Sequence, residues 1–415
     1  KKYKMKILYL CRLFDGFETS LLKRKWIPSG VPTIYKLIEK LDKENLECKF
    51  VISDLGTGIY RESINQYDKI RDFSLEGLKN NLIFIPGEFL IKKKFRNRIS
   101  SFFIFFYRQI SILNLAIKFS PDIIYIDRAN LFTGAILSRF FSRKVVLRIM
   151  GVYPDMWEIV RKKRYFFTRW LYRSKFIHVI CTEDGSGGKQ WMDLMLKDEV
   201  KRSVMLNGID KKNTFSTSFI LKKSNKVKIL FMGRMEKIKG IEEFIDAISN
   251  LKNEVKKKIK VYIVGTGSLN SKVDRLINNQ NLNNIIKRFK VIPHDEIKGF
   301  IKQFDIYVSL NQAGNISNSN IECFYNGICC IIPDKDERIF RDISLEKYFP
   351  KNCLLRIDNK NIVSDLSETI SKLVVNRKQI KEYSTKIKKR SSKIFKDWDL
   401  RIKDEIILLK NLARN

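Results

Sequence analysis

Short apolar runs rich in β-branched residues recur along the first two hundred positions, at Met5–Cys11, Cys48–Ile52, Leu82–Ile85, Ile123–Ile126, Lys144–Ile149 and His178–Cys181. Stretches of helical spacing separate them. Ile34, Leu37, Ile38 and Leu41, for example, put one apolar stripe on a helix over Thr33–Leu41. Continuous apolar strands alternating with helices predict a parallel sheet covered on both faces, and so an α/β class. Around residue 210 a polar stretch without a period, LNGIDKKNTFSTSFILKKSNK, reads as a linker, and the alternation then restarts. Strands are expected at Val227–Met232, Lys260–Val264, Ile286–Val291, Ile306–Ser309 and Cys329–Ile332. Helices are expected at Ile241–Leu251, Leu269–Ile277, Asp295–Lys302 and Asn320–Tyr325. In the tail, Ile394, Trp398, Ile402, Ile406 and Leu409 form one stripe on a closing helix. The pattern predicts two Rossmann-like domains, residues 1–208 and 209–393, with a helix over 394–415 packing back on the first.

A chain of 415 residues with 44% hydrophobic positions is long enough for two such cores. Its 81 Lys and Arg against 45 Asp and Glu give a net charge of +36, which speaks of partners and solubility and not of fold. Genome-wide enrichment in Lys, Ile and Asn is one account of it. An anionic membrane or a diphosphate-bearing substrate is another, and nucleic acid ranks last because the motifs of RNA and DNA modules are absent. The seven cysteines form no CxxC pair, and several lie in apolar runs such as GICCII, so free thiols in a reducing compartment are expected. Two histidines, neither beside a cysteine pair, predict no zinc. The opening KKYKMKILYLC enters a strand directly, and no run reaches 18 uncharged apolar residues. A cytoplasmic location is the expectation.

Four places in the second half carry chemistry. In LFMGRMEKIKG (230–240) a strand ends at Gly233, and Arg234 and Lys239 bracket a loop that turns at Gly240 into a helix. Two cations at the carboxyl end of a parallel strand, beside a helix N-terminus, suit a diphosphate. VGTGS (264–268) places Gly265 and Gly267 after a strand, a weak signal taken alone. In IPHDEIKGF, Asp295 caps a short helix and His294 precedes it. In NQAGNISNSNIECFYNGICC (311–330) a loop of small residues, Asn315, Ser317, Asn318 and Ser319 among them, leads into a helix with Glu322 in its first turn. Small residues let backbone N–H groups approach a ligand there, and the helix dipole favours an anion.

Taken in order, these motifs resemble the donor-binding half of the family-4 glycosyltransferases, retaining enzymes of the GT-B fold. The resemblance is specific over residues 204–334, includes NGID at Asn207–Asp210, and extends to Trp398–Asp399. It implies a nucleotide-diphosphate sugar as donor, its diphosphate held by Arg234 and Lys239 and its ribose by Glu322. Gly30, Gly233 and the backbone around Asn315–Ser319 would adjoin phosphate and sugar, and no cofactor or metal would be needed. Two departures stand out. Gly314 occupies the place of the family's other glutamate, and Met150 that of a histidine before a glycine. Asn315, Asn318 or Asp155 are the candidates for the sugar contacts these would have made.

The acceptor is expected to be a glycan or lipid-linked hydroxyl in surface-polysaccharide or glycan assembly. KKKFRNRISSFFIFFYRQISILNLAIKF (92–119) sets Lys92, Lys93, Lys94, Arg96 and Arg98 before Phe102, Phe103, Phe105 and Phe106. That contiguity suggests a peripheral contact with the inner face of an anionic membrane, a core helix being the other reading. Two rival functions stay open: a nucleotide-sugar epimerase on the same fold, and a non-catalytic binding or scaffold protein.

Overall fold

The computed structural model describes residues 4–14, 16–54, 69–86, 98–142, 144–211, 218–221 and 224–414. Among them the strands form two sheets. The first holds β1 (Lys6–Arg12), β2 (Glu47–Ser53), β3 (Arg71–Phe73), β4 (Leu82–Ile85), β5 (Ile123–Asp127), β6 (Val145–Ile149), β7 (His178–Thr182) and β8 (Lys201–Met205). Their spatial order is β3-β4-β2-β1-β5-β6-β7-β8, parallel except for β3 at one edge. The second holds β9 (Val227–Met232), β10 (Ile259–Val264), β11 (Ile286–Phe289), β12 (Ile306–Val308), β13 (Cys329–Pro333) and β14 (Leu355–Ile357). It is ordered β11-β10-β9-β12-β13-β14, with every pairing parallel.

The two-sided burial explains the strand composition. Ile123–Asp127, Val145–Ile149, His178–Thr182 and Cys329–Pro333 are buried at every position, because helices cover both faces. All seven cysteines are buried free thiols, packed as small apolar groups. In the first turn of the helix Pro32–Lys43, Pro32 supplies the preset φ that suits a start. Gly240, at φ 71°, joins the short turn Lys237–Lys239 to the helix Ile241–Ser249 and lies against Leu310, where a Cβ would sit 2.4 Å from the leucine Cβ.

The tail breaks at Phe395 and resumes as the helix Trp398–Arg414, which lies on the first sheet against the helix Pro32–Lys43. Trp398, Ile402, Ile406 and Leu409 are buried there among Ile34, Leu37 and Tyr125. The linker and the tail therefore cross between the halves side by side. The Ile209 amide donates to the Lys396 carbonyl at 3.0 Å, the Trp398 amide donates to the Ile209 carbonyl at 3.2 Å, and Ile209 pairs with Asp397 as a parallel bridge. Gly208 fits because a Cβ would stand 2.8 Å from the Trp398 Cα.

Beneath the closing helix lies a fully buried ion cluster. Arg148 on β6 reaches Glu405 at 3.4 Å, Arg401 reaches the same carboxylate at 2.7 Å, and the Tyr125 hydroxyl donates to it at 2.5 Å. Burial alone would raise the Glu405 carboxyl. Arg401, Arg148 and the Tyr125 hydroxyl outweigh burial and hold it below the ordinary carboxylate range.

Candidate active site

The carboxyl ends of both sheets face one another across a seam, the position where open parallel sheets bind ligands. On the second half, β9 ends at Met232 and the loop to Gly240 carries Arg234 and Lys239. Lys239 lines a small pocket with Ser309, Asn311, Ser317 and Ser319, at the N-terminus of the helix Asn318–Asn326. Burial, and then Arg234 nearby, lower its ammonium pKa, while Asp184 and Glu236 oppose that shift. Arg234 is exposed and reaches Glu236 at 3.1 Å. Gly233 leaves its side open, since a Cβ there would meet nothing within 4 Å. The pair of cations and the helix N-terminus thus lie near one another, with one cation half-buried and the other in solvent.

A second cleft, about 160 Å³, lies alongside. It is lined from the first half by Gly30 and Pro32, from the linker by Gly208 and Asp210, and from the second half by Asn318 and Glu322, with Trp398 at its side. A relay of hydrogen bonds fixes its walls: the Thr33 hydroxyl meets Asn207 at 3.0 Å, and the Asn207 amide donates to the Asn318 side chain at 2.6 Å. Lys36 reaches Asp210 at 3.1 Å. Burial pushes the Tyr35 hydroxyl up, and the carboxylates Asp210, Glu39 and Glu322 around it add to the shift.

Several expected site residues have other duties. Asn315 is fully buried: its amide nitrogen donates to the Asn311 carbonyl (3.1 Å) and Asp342 (2.7 Å), and its oxygen accepts from Ser309 (2.8 Å). No side-chain group of Asn315 is left for a sugar, which corrects that expectation. Asn318 is bound to Asn207, and so holds the linker. Gly265 and Gly267 are close-packing positions against the turn after β9. A Cβ at either would strike the backbone of the 233–235 turn, at 1.9 Å from the Gly233 oxygen and 2.5 Å from the Met235 oxygen. Asp155 is exposed in the first turn of the helix Pro154–Arg161 and lines neither pocket. His294 opens the helix His294–Ile301 instead of preceding it, with Pro293 and not Asp295 at the cap. The side chains of His294 and Asp295 lie outside the described residues.

The two departures from the resemblance are explained at the seam. Gly314 packs on the loop after β7 so closely that a Cβ would fall 2.5 Å from the Asp184 oxygen and 2.7 Å from the Ser186 nitrogen. A glutamate therefore has no room there. The same loop is tied across the seam by the Ile316 amide donating to the Asp184 carbonyl (2.9 Å). The Asp342 amide donates to the Gly185 carbonyl (2.7 Å) and the Ser344 hydroxyl to Glu183 (2.8 Å). The Asp184 carboxylate lies on Gly151, next to Met150, and accepts from the Ser186 amide and hydroxyl. Burial pushes its pKa up to about 7. Sequence reasoning passed over this residue. The signal was a strand running into an acidic pair and three glycines, TEDGSGG.

Comparison with known proteins follows the same division of the chain. Residues 213–390 match the family described as "Glycosyl transferases group 1". An uncharacterized glycosyltransferase of Methanocaldococcus jannaschii is 28% identical over 174 residues, which covers 38% of this chain and 44% of the relative. That match spans less than half of the relative's length. Solved structures align end to end. A glycosyltransferase from Rickettsia africae does so with a TM-score of 0.65 at 17% identity over 99% of each chain. Sucrose-phosphate synthase from Thermosynechococcus elongatus gives 0.71 at 13%, over 99% of each chain. HepE from Anabaena, solved in complex with UDP-glucose, gives 0.66 at 14% over 98% of this chain and all of its own. The likeness in shape is to the two-domain GT-B fold. Through residues 213–390 the chain is similar to the group 1 glycosyl transferases, and its strands are laid out as in the GT-B fold.

Proposed function

We propose that this protein is a retaining glycosyltransferase of the family-4 type, moving a sugar from a nucleotide-diphosphate donor to a hydroxyl of a glycan or lipid-linked acceptor. The observation that carries this reading is the convergence of Lys239, Arg234 and the N-terminus of the helix Asn318–Asn326 beside the cleft that Glu322 lines. A solved relative holds UDP-glucose and another holds UDP with GlcNAc, which supports a nucleotide-sugar donor. The diphosphate lies over Lys239 and the helix amides, and Glu322 accepts from the ribose hydroxyls. The acceptor oxygen attacks the anomeric carbon as its bond to the diphosphate breaks, and the acceptor proton passes to the departing phosphate oxygen on the same face. The protein's part is to position the reactants and neutralise the leaving charge. Assembly of surface polysaccharide or glycan, in the cytoplasm, is the setting this chemistry suits.

The test is turnover of a panel of nucleotide sugars by the purified protein, with lipid-linked and free glycan acceptors and with water. Release of nucleoside diphosphate from one donor and retention at the anomeric carbon are expected. A protein that binds such donors and releases nothing from any of them is a scaffold, and the reading fails. We infer a donor contact for Asp184, the buried carboxylate that acts on Lys239 and whose loop fills the space beside Gly314. Asp184→Asn is expected to weaken binding of the productive nucleotide sugar about tenfold, a loss of ~1.4 kcal/mol, with the bare diphosphate unaffected. Calorimetry that finds both ligands equally weakened would make Asp184 a partner of Lys239 only.

A further inference from the structure

Three helices cover one face of the first sheet beside the seam: Arg98–Phe119, Leu131–Phe140 and Phe166–Tyr172. Their outer surface is apolar where water is expected. Phe166 is 71% exposed and Phe140 65%, and Ile110, Phe167 and Trp170 are each about half exposed. Single exposed apolar residues are ordinary, but here Phe167 and Trp170 end a chain of ring contacts that runs across the helices. Phe105 meets Phe132 at 4.8 Å, Phe132 meets Phe167 at 6.3 Å, and Phe167 stacks on Trp170 at 5.7 Å. The Arg139 guanidinium lies 4.2 Å above the Trp170 ring.

The charge on this face is mainly positive. None of the three helices contains an Asp or Glu. The segment before Phe166 exposes Arg161, Lys162, Lys163 and Arg164, and Arg173 and Lys175 follow it, also exposed. Two acids lie nearby on the helix Pro154–Arg161: Asp155, and Glu158, which is already paired with Lys162 at 3.0 Å and Arg164 at 3.4 Å. A core or a protein interface would deplete these lysines. A surface of aromatic side chains rimmed by Lys and Arg suits the boundary between acyl chains and anionic headgroups. Among the described residues no helix is long and apolar enough to cross a membrane, so such a face would lie on the surface.

We infer that this aromatic and cationic face, centred on Phe140, Phe166, Phe167 and Trp170, is where the protein sits on an anionic membrane. The sequence motif that first raised a membrane contact shares the helix Arg98–Phe119 with this face, but Lys92, Lys93, Lys94, Arg96 and the Arg98 side chain lie outside the described residues, and the face stands without them. The helix Pro154–Arg161 runs from the seam, where Trp157 stacks on Phe340 at 5.0 Å, directly into the cationic rim.

Vesicle co-sedimentation tests this without any turnover. The full chain is mixed with phosphatidylcholine vesicles, with and without phosphatidylglycerol, at low and at raised salt. Binding to the anionic vesicles that falls as salt rises is expected. Phe140→Ser with Phe166→Ser should weaken it at least about tenfold, and so should Lys162→Gln, Lys163→Gln and Arg173→Gln together. All five side chains are exposed, so the melting curves should match the parent's. Absence of binding at low salt, equal binding to neutral vesicles, or an aromatic variant that binds like the parent would each overturn the assignment. So would sedimentation showing a dimer that the aromatic variant dissolves, since the face would then belong to a second copy.

Discussion

Lys239→Ala is expected to lower nucleotide-sugar turnover by about 10²–10³-fold, or ~3–4 kcal/mol of transition-state stabilisation, more than any other single change at the seam. The reason lies in its surroundings. Burial disfavours the charged ammonium, and Arg234 adds a repulsion that Asp184 and Glu236 only partly offset. A cation held in a partly dry site interacts more strongly with an arriving anion than one in bulk water, and a leaving diphosphate gathers negative charge as the sugar bond breaks. Arg234, exposed and paired with Glu236, is screened, so Arg234→Ala should lose less. Steady-state turnover and calorimetry with a nucleoside diphosphate check this together. A Lys239 variant with parental turnover and affinity would move the diphosphate elsewhere.

Glu405→Ala is expected to destabilise the half that carries β1–β8 by about 3–5 kcal/mol, because it strands Arg148 and Arg401 without their counter-charge. Arg148 and Glu405 have no exposed side-chain surface, so water cannot take the lost partner's place. The pH behaviour follows from the sign of the shift. A carboxylate held below its ordinary value stabilises at neutral pH, and that contribution is lost as pH falls through the folded-state pKa. The parent should therefore lose stability in acid more steeply than the variant. Thermal unfolding across the acid range measures both effects. A variant with the parent's melting point at neutral pH would show that the cluster contributes no net stability.

The strands that could be read in advance are those buried on both faces, where apolar side chains run uninterrupted. Three others escaped, Arg71–Phe73 and Lys201–Met205 at the edges of the first sheet and Leu355–Ile357 at an edge of the second. An edge strand is covered incompletely, so KRSVM carries cations and shows no apolar run. Arg148 had left a trace, as a cation inside the apolar strand VVLRI, though nothing local could name Glu405 as its partner. The phosphate and ribose candidates were legible because strand, turn and helix N-terminus are neighbours in sequence. The seam was not. Asn315 looked like a ligand-facing amide among small residues, yet its surroundings come from Ser309, Asn311 and Asp342. Small residues admit a substrate or another loop equally well, and only the approach of residues 184–186 decides which one enters.

The paired crossing at Ile209 and Asp397 constrains how the two halves move. With one covalent connection, one half could swivel freely about the other. Here two connections run in parallel and are hydrogen-bonded to each other, with Gly208 seated on Trp398. Rotation about the line joining the halves would shear that pair, whereas bending across it leaves the pair intact. The two crossings thus favour a door-like opening hinged at Ile209 and Asp397, which must also part residues 183–185 from Ile316, Asp342 and Ser344.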